Sequence, residues 1–457
     1  MRLGPEALAG LPAGVARPAY DRAAQAVGIV HFGIGAFHRA HMAWYTDRAM
    51  AAGDADWMIT GVSLRSTTVA EQLNPQHGLY TLAERSAAGT TCAVLGAVAR
   101  VLVASSQRAE VLAALAAPAT RIVSFTVTEK GYCRRADHSL DLALADAGFY
   151  PLLAEAFARR RAAGLSGLTL LSCDNLADNG RQLAALMGDY LAARAPDLAG
   201  WFADECACPS TMVDRIVPAT TPADLDAVAA ELGLRDAAAV LTEPFSQWVI
   251  EDRFAGPRPR WEAVGAELVA EVAPYERAKL RMLNGAHSAL AYLGLQRGHA
   301  FVHQAVADSV IRDTVERLMR DEAAPTVGAA PGHDLMAYAD ALLARFANPA
   351  LNHRLAQIAM DGSQKVPQRW LEPLADNQRA GRDCPATLAA LAGWLRHLRG
   401  DNCLVDDPLA EPLARAWREH GAAGIVPALF GPGGLVSDVW HPTMADRVRI
   451  EALLGEG

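Results

Sequence analysis

Apolar positions in the first half of the chain come in short unbroken runs, whereas in the second half they recur every three or four residues. Val27-Gly28-Ile29-Val30-His31-Phe32 is the first run, a buried strand by its length and β-branching. Trp57 to Leu64, Ala93 to Val103, Ile122 to Thr128 and Leu168 to Cys173 predict further strands. Helical stretches, Pro151 to Arg161 and Gly180 to Arg194, lie between them. Strands alternating with helices predict a mostly parallel sheet covered on both faces. Past the Pro/Gly-rich stretch Gly256 to Pro259 the period becomes helical almost everywhere. Phe301, Val302, Ala305, Val306 and Val310 predict one amphipathic helix. Leu335, Met336, Ala339, Leu342, Leu343 and Phe346 predict another, stopped by Asn348-Pro349. A third runs through Leu388, Leu391, Trp394, Leu395 and Leu398 to Gly400. The expected architecture is α/β: a Rossmann-type domain over residues 1–272, then a mainly α-helical domain over 273–457.

Two places in this pattern carry candidate chemistry. The first strand runs into Gly33-Ile34-Gly35-Ala36-Phe37-His38-Arg39-Ala40-His41 and a helical pattern through Met50. Strand, glycine turn and helix let backbone N–H groups meet a pyrophosphate at a helix start. His38 stands where the usual third glycine would be, and Gly-x-Gly alone also describes an ordinary tight turn. The second strand ends in Leu64-Arg65-Ser66 with no carboxylate until Glu71. Arg65 beside hydroxyls suits a 2′-phosphate; an ordinary polar loop fits equally well. Polar clusters follow later strands: Thr128 to Tyr132, Cys173-Asp174-Asn175, and Asp214-Arg215. In a parallel sheet, the carboxyl ends of strands are where ligands sit.

The second place is Lys279-Leu280-Arg281-Met282-Leu283-Asn284-Gly285-Ala286-His287, entered through Pro274, Tyr275 and Glu276. Pro274 suits the first turn of a helix. At about 100° per residue, Glu276, Lys279, Leu283, Asn284 and His287 fall within an arc of roughly 140°. A solvated face is the ordinary use of any one of them. A carboxylate, an amine, an amide and an imidazole together, among Leu, Met and Ala, point instead to proton transfer. A lysine desolvated near a histidine loses proton affinity and can serve as a base near neutral pH. Asp361 to Pro367 predicts a polar turn from which Lys365 reaches the cleft.

Composition narrows the alternatives. The chain has 457 residues, 20% charged and 51% hydrophobic, a soluble globular make-up long enough for two or three domains. A net charge of −9 argues against nucleic-acid and anionic-membrane surfaces. No apolar run reaches the ~18 residues of a membrane span. Met1 to Pro18 holds no sustained apolar core, so no signal peptide is expected. The seven cysteines show no zinc-ligand spacing, and free thiols in a reducing cytoplasm account for them. His31, His38 and His41 are the rival metal set, with helical spacing placing His38 and His41 on one face. No acid or cysteine completes it, so no metal is expected. Nothing in the pattern sets the oligomeric state.

Seven motifs in order resemble the mannitol dehydrogenase family of polyol-specific long-chain dehydrogenases. They are Gly33 to His41, Thr126 to Cys133, Ser172 to Asn175, Met212 to Ile216, Glu243 to Phe245 with Gln247 to Val249, Lys279 to His287, and Asp361 to Lys365. The resemblance implies metal-independent hydride transfer with NAD, NADP being possible. It implies that Lys279 is the base and that Asn175 and Asn284 polarise the reacting oxygen. His287 would orient substrate and lysine, Glu276 would stand beside the proton path, and Asp214 and Lys365 would lie on the substrate side. Gly33, Gly35, Ala36, Phe37, His38 and Arg65 would face the cofactor. Mannitol-specific members carry Gly at Lys130 and Arg at Gln357. The hexuronate branch, which interconverts D-mannonate and D-fructuronate, shares Lys130, Gln357, Arg281-Met282-Leu283 and Val366 to Arg369. Lys130 as an added cation leans towards a carboxylate-bearing small molecule. A non-catalytic sugar or nucleotide sensor would keep the glycine turn without needing Lys279. A methyltransferase would leave the Lys279–His287 face without a use.

Overall fold

Five of the apolar runs pair side by side in the computed structural model, which describes residues 1–135, 137–400 and 403–455. Their order is Val98–Val103, Met58–Ser63, Val27–Phe32, Ile122–Phe125, Thr169–Ser172, and every pairing is parallel. Side chains alternate across a strand, and here successive residues enter different cores. Ile29 and Ile59 pack with Met42, Tyr45 and Met50 of the helix Met42–Ala51 on one face. Val30, Phe32 and Val123 pack on the other with Leu153 and Phe157 of Tyr150–Ala162 and Leu183 and Met187 of Asn179–Arg194. Burial on both faces is why these strands read as continuous apolar runs. Phe32 pairs with Val62 and Phe125, and Phe125 with Ser172, so the carboxyl ends lie level. The strand order reverses between Val27–Phe32 and Ile122–Phe125, the crevice position at which such sheets bind ligands.

Some elements differ from the expectation. The run Ala93 to Val103 is two strands in two sheets, Gly89–Leu95 and Val98–Val103. The break is at Gly96, where a Cβ would meet Arg22 and Pro18 within 2.7 Å. Tyr80–Ser86, which the apolar pattern did not mark, pairs antiparallel with Gly89–Leu95 and parallel with Val240–Thr242. Leu3, Leu11 and Val15 of the lead-in cover this small sheet. Thr211–Asp214 belongs to a third sheet with Gln247–Glu251 and Glu267–Val269. Asp214 therefore does not end a strand of the parallel sheet.

Residues 1–272 and 273–457 form separate compact units. The second is helical, with only isolated bridges among its described residues. Leu335–Phe346 and Pro385–His397 form where their stripes predict. The stripe from Phe301 to Val310 is two helices, Val302–Ala307 and Ser309–Arg317. Asp308 ends the first in extended backbone and caps the second, accepting from the N–H groups of Val310 and Ile311. Three segments are π-helical: Lys279–Asn284, Leu318–Ala323 and Pro367–Leu371. The first packs against both of the others. It leads into Gly285–Gln296, which packs against Pro385–His397, Val302–Ala307 and Leu355–Ile358. Among the described residues no helix is long and apolar enough to cross a membrane.

Candidate active site

In the first unit the glycine turn is built from the strand outward. Gly33 has φ +90°, and a Cβ on it would lie 2.1 Å from the carbonyl oxygen of Thr126, so only glycine fits. Its N–H donates to Val62 and its carbonyl accepts the Gly35 N–H at 2.6 Å. Gly35 is exposed and begins the helix Ala36–Ala40 with no side chain capping the first amides. Ala36 and Phe37 are half-buried beside it. The helix does not run on to Met50 unbroken. His41 takes φ −122°, ψ −93°, and a second helix, Met42–Ala51, starts there.

That break separates the histidines expected on one face. His38 is fully buried, its ring stacked on His31 with centroids 3.4 Å apart. His41 turns away to Gln247, whose carbonyl lies 2.9 Å from Nε2. The His38 ring therefore lies beneath the turn, away from its outer surface. Burial, with His31, Arg39 and His41 adding, holds its pKa well below the usual histidine value. His31 is pulled down to about 3 by burial and is neutral at pH 7. Its tautomer follows from its partners. The Thr126 hydroxyl donates to the Gly33 carbonyl at 2.6 Å, so it must accept from His31 Nε2–H at 2.9 Å. Nδ1 is then the acceptor for the Ser124 hydroxyl at 2.8 Å. A buried chain, Ser124 to His31 to Thr126 to Gly33, holds the turn. Sequence reading missed it; the polar residues Ser124, Thr126 and His31 inside apolar runs were the available signal. Among the described residues no group of three His, Cys, Asp or Glu is placed to hold a metal ion, and all seven cysteines are free.

The adjacent strand ends are pinned together. Asp174 accepts from the N–H groups of Val127 and Thr128 at 3.0 and 2.9 Å and from the Tyr132 hydroxyl at 2.8 Å. Tyr132 also meets the Ser172 hydroxyl at 2.6 Å. Burial raises the Asp174 pKa although these bonds oppose the shift. Thr128 has φ +65°, rare for a β-branched residue and held here by Asp174. The pinned loop forms a short helix, Thr128–Gly131, with Lys130 exposed on it. Asn175, next to Asp174, is exposed as well. Arg65 is exposed in the loop after Met58–Ser63. Asp214 is buried, at 7% exposure, across from Gln247 in its own sheet.

In the second unit Glu276, Lys279, Asn284 and His287 are all half-buried, and Leu283 is buried. They do not lie on one regular α-helix. Ala273–Ala278 is α-helical, Lys279–Asn284 is π-helical, and Gly285–Gln296 is α-helical again. A π turn takes more residues per revolution than an α turn, so side chains five apart come closer to alignment. Lys279 and Asn284, at opposite edges of the expected arc, are five apart at the two ends of this π segment. Trp370 Nε1 donates to the Gly285 carbonyl at 3.1 Å, and Arg369 Nη1 to that of Asn284 at 3.3 Å. The His287 ring packs on Phe346 and His353, with centroids at 4.7 and 5.3 Å. Burial keeps its pKa well below the usual value, and the neighbouring His353, Arg345 and Arg369 add to this. At pH 7 it is a neutral imidazole, able to accept or donate one proton.

Lys365 differs from its expected setting. Gly362–Val366 is a helix, not a turn, and Pro367–Leu371 continues it. Lys365 Nζ donates back to the carbonyls of Met360 and Ile358 at 2.5 and 3.4 Å. Burial and the neighbouring Arg369 lower its pKa from the usual lysine value.

A family model described as the mannitol dehydrogenase Rossmann domain matches residues 27–263, and one described as the mannitol dehydrogenase C-terminal domain matches 271–424. A D-mannonate oxidoreductase of Escherichia coli is 41% identical over 445 residues, 93% of this chain and 92% of that protein. The structure of Pseudomonas fluorescens mannitol 2-dehydrogenase, in a ternary complex with NAD and D-mannitol, superposes with TM-score 0.81 at 33% identity. It covers 100% of this chain and 96% of that one. A substrate-free D-sorbitol dehydrogenase superposes with TM-score 0.91 at 32% identity, covering 100% and 98%.

Proposed function

The chain belongs to the mannitol dehydrogenase family, and from that premise we propose that it interconverts a secondary alcohol and a ketone on a linear sugar alcohol or aldonate. NAD is the proposed cofactor, and D-mannonate with D-fructuronate is the favoured substrate pair, a fructuronate reductase activity. The observation that supports the chemistry is the π-helical segment Lys279–Asn284, which carries both residues and runs into the helix that bears the neutral His287. Lys279, unprotonated, takes the hydroxyl proton of the substrate. The amides of Asn284 and Asn175 donate to the oxygen as its charge develops, without a metal. His287 orients the hydroxyl, and Glu276 takes the proton onward from Lys279. Asp214 and Lys365 bind the substrate away from the reacting carbon. NAD, if bound, would supply the acceptor for the hydride of the carbinol carbon. The exposed backbone at Gly35, with uncapped amides at Ala36 and Phe37, suits a pyrophosphate, and Gly33 sets the turn. His38 serves from beneath. Arg65, exposed where no acid follows the second strand, leaves NADP as a competing cofactor.

The preference for an aldonate rests on the 41% identity to a D-mannonate oxidoreductase and on Lys130, exposed on the short helix Thr128–Gly131. A mannitol 2-dehydrogenase is the second reading, favoured by the superposition on the mannitol-bound structure. The test is the absorbance of the reduced nicotinamide with D-fructuronate and with D-fructose, each with NADH and NADPH. Faster turnover of D-fructuronate with NADH is expected. D-Fructose as the better substrate selects the second reading, and no nucleotide oxidation across a polyol and uronate panel removes both.

A further inference from the structure

Two arginines on and beside the π turn are neutralised by carboxylates. Arg281, buried on that turn, meets Asp376 at 2.6 Å and Glu372 at 3.5 Å. Arg320, on the neighbouring π segment, meets Glu316 at 2.9 Å and Asp340 at 2.5 Å. Arg369 has no carboxylate partner among the described residues. Its Nη1 donates to the Asn284 carbonyl at 3.3 Å and to the Ser288 hydroxyl at 2.8 Å, both neutral acceptors. The side chain is half-buried, and desolvation lowers its pKa to about 10. One turn earlier on the same face stands Lys365, a second cation whose ammonium also meets only carbonyls. Like charges at this spacing repel. His287 is neutral and adds no further positive charge, and Asp361 and Asp407 act on Lys365 only through longer-range attraction. Asp407 is occupied with the N–H and hydroxyl of Ser363. Desolvated cations are retained at a cost unless an anion completes them.

We propose that Arg369, supported by Lys365, is the carboxylate-recognising residue of the substrate site, reading the acid end of an aldonate or ketouronate. This rests on the functional reading above and adds to it the residue that separates sugar acids from neutral polyols. A planar guanidinium with five donors retains N–H groups beyond the two bonds it makes, and these suit a carboxylate in a bidentate pair. Through its bond to the Asn284 carbonyl, Arg369 also ties the acid end of the substrate to the turn that carries Lys279.

The full chain with Arg369→Gln, and with Arg369→Lys as the charge-retaining control, tests this. With D-mannonate the Gln variant is expected to raise KM about 10- to 100-fold, the usual cost of losing a hydrogen bond to a charged group. KM for D-mannitol should stay within about threefold. The Lys variant should recover part of the loss. Calorimetric titration of D-mannonate, with and without bound NADH, reads the same contrast without turnover. Equal losses for acid and polyol, or no loss for either, overturn the proposal, since they assign Arg369 to holding Asn284 and Ser288 alone. Wild-type protein that oxidises D-mannitol but binds no D-mannonate overturns it while leaving a polyol dehydrogenase in place. Protein that binds D-mannonate through Arg369 yet oxidises nothing keeps the subsite and removes the enzyme reading.

Discussion

Gly33 has less freedom to change than any other residue of the turn. With φ +90° and the Thr126 carbonyl 2.1 Å from any Cβ, Gly33→Ala combines backbone strain with overlap. A loss of about 2–4 kcal/mol in urea unfolding is expected. A change below about 0.5 kcal/mol, the ordinary surface range, would show that the turn relaxes freely. Thr126→Val removes the middle of the buried chain, leaving His31 Nε2–H and the Gly33 carbonyl without that partner. It should cost about 1–3 kcal/mol and weaken NADH binding, measured by fluorescence titration, with kcat less affected than cofactor affinity. Lys279→Ala should lower kcat about 10²–10⁴-fold, the usual share of general-base catalysis, while NADH still binds. A loss under about tenfold removes Lys279 as the base.

At the scale of elements, three π segments interrupt the described helices of the second unit. Each widens a helix locally, and each is held by packing against another such turn or by the elements beside it. Arg281 fastens the first to the region around Glu372–Arg379, reaching Asp376, Glu372 and the Thr326 carbonyl at 2.7 Å. Arg281→Met should destabilise the protein by about 2 kcal/mol, below the range for a fully buried pair because the Asp376 and Glu372 side chains remain 30% and 41% exposed. Urea unfolding measures this, and an unchanged midpoint would show that the neighbouring helices hold the π turn without the ion pair.

Across the whole molecule, buried histidines couple stability to pH. His31 and His38 in the first unit, and His287, His353 and His397 in the second, have pKa values lowered chiefly by burial. The unfolded chain takes up these protons near pH 6.5, the folded one only below it. Their contribution is whole above about 6.5 and is lost as pH falls, by about 1.4 kcal/mol per pH unit for each group. Asp47, Asp174 and Glu322 have raised values and act oppositely, their contribution being present at low pH and lost as pH rises through the folded pKa. His38→Leu should therefore reduce the loss of stability between pH 7 and 5.5 by about 1 kcal/mol. Equal losses in both proteins would contradict the buried, neutral state of this ring.

Strand runs, helix stripes and the order of motifs depend on local periodicity and side-chain type, and these were legible in the chain itself. So were the α/β class and the family. What one-dimensional pattern did not carry was decided by packing. Gly96 splits an apolar run because Arg22 and Pro18 occupy the space a side chain would need. Asp214 leaves the parallel sheet because Thr211–Asp214 finds an antiparallel partner in Gln247–Glu251. His38 and His41 part company at one non-helical residue. The π turn at Lys279–Asn284 packs on two further π segments, and Arg369 meets only neutral acceptors among the described residues, neighbours that lie far off in sequence. The amino acids alone determined which chemical groups are available and on which kind of element each stands. Tertiary structure decided which of them are desolvated, paired or left with charge unbalanced, because those properties come from neighbours that the chain brings together only when folded.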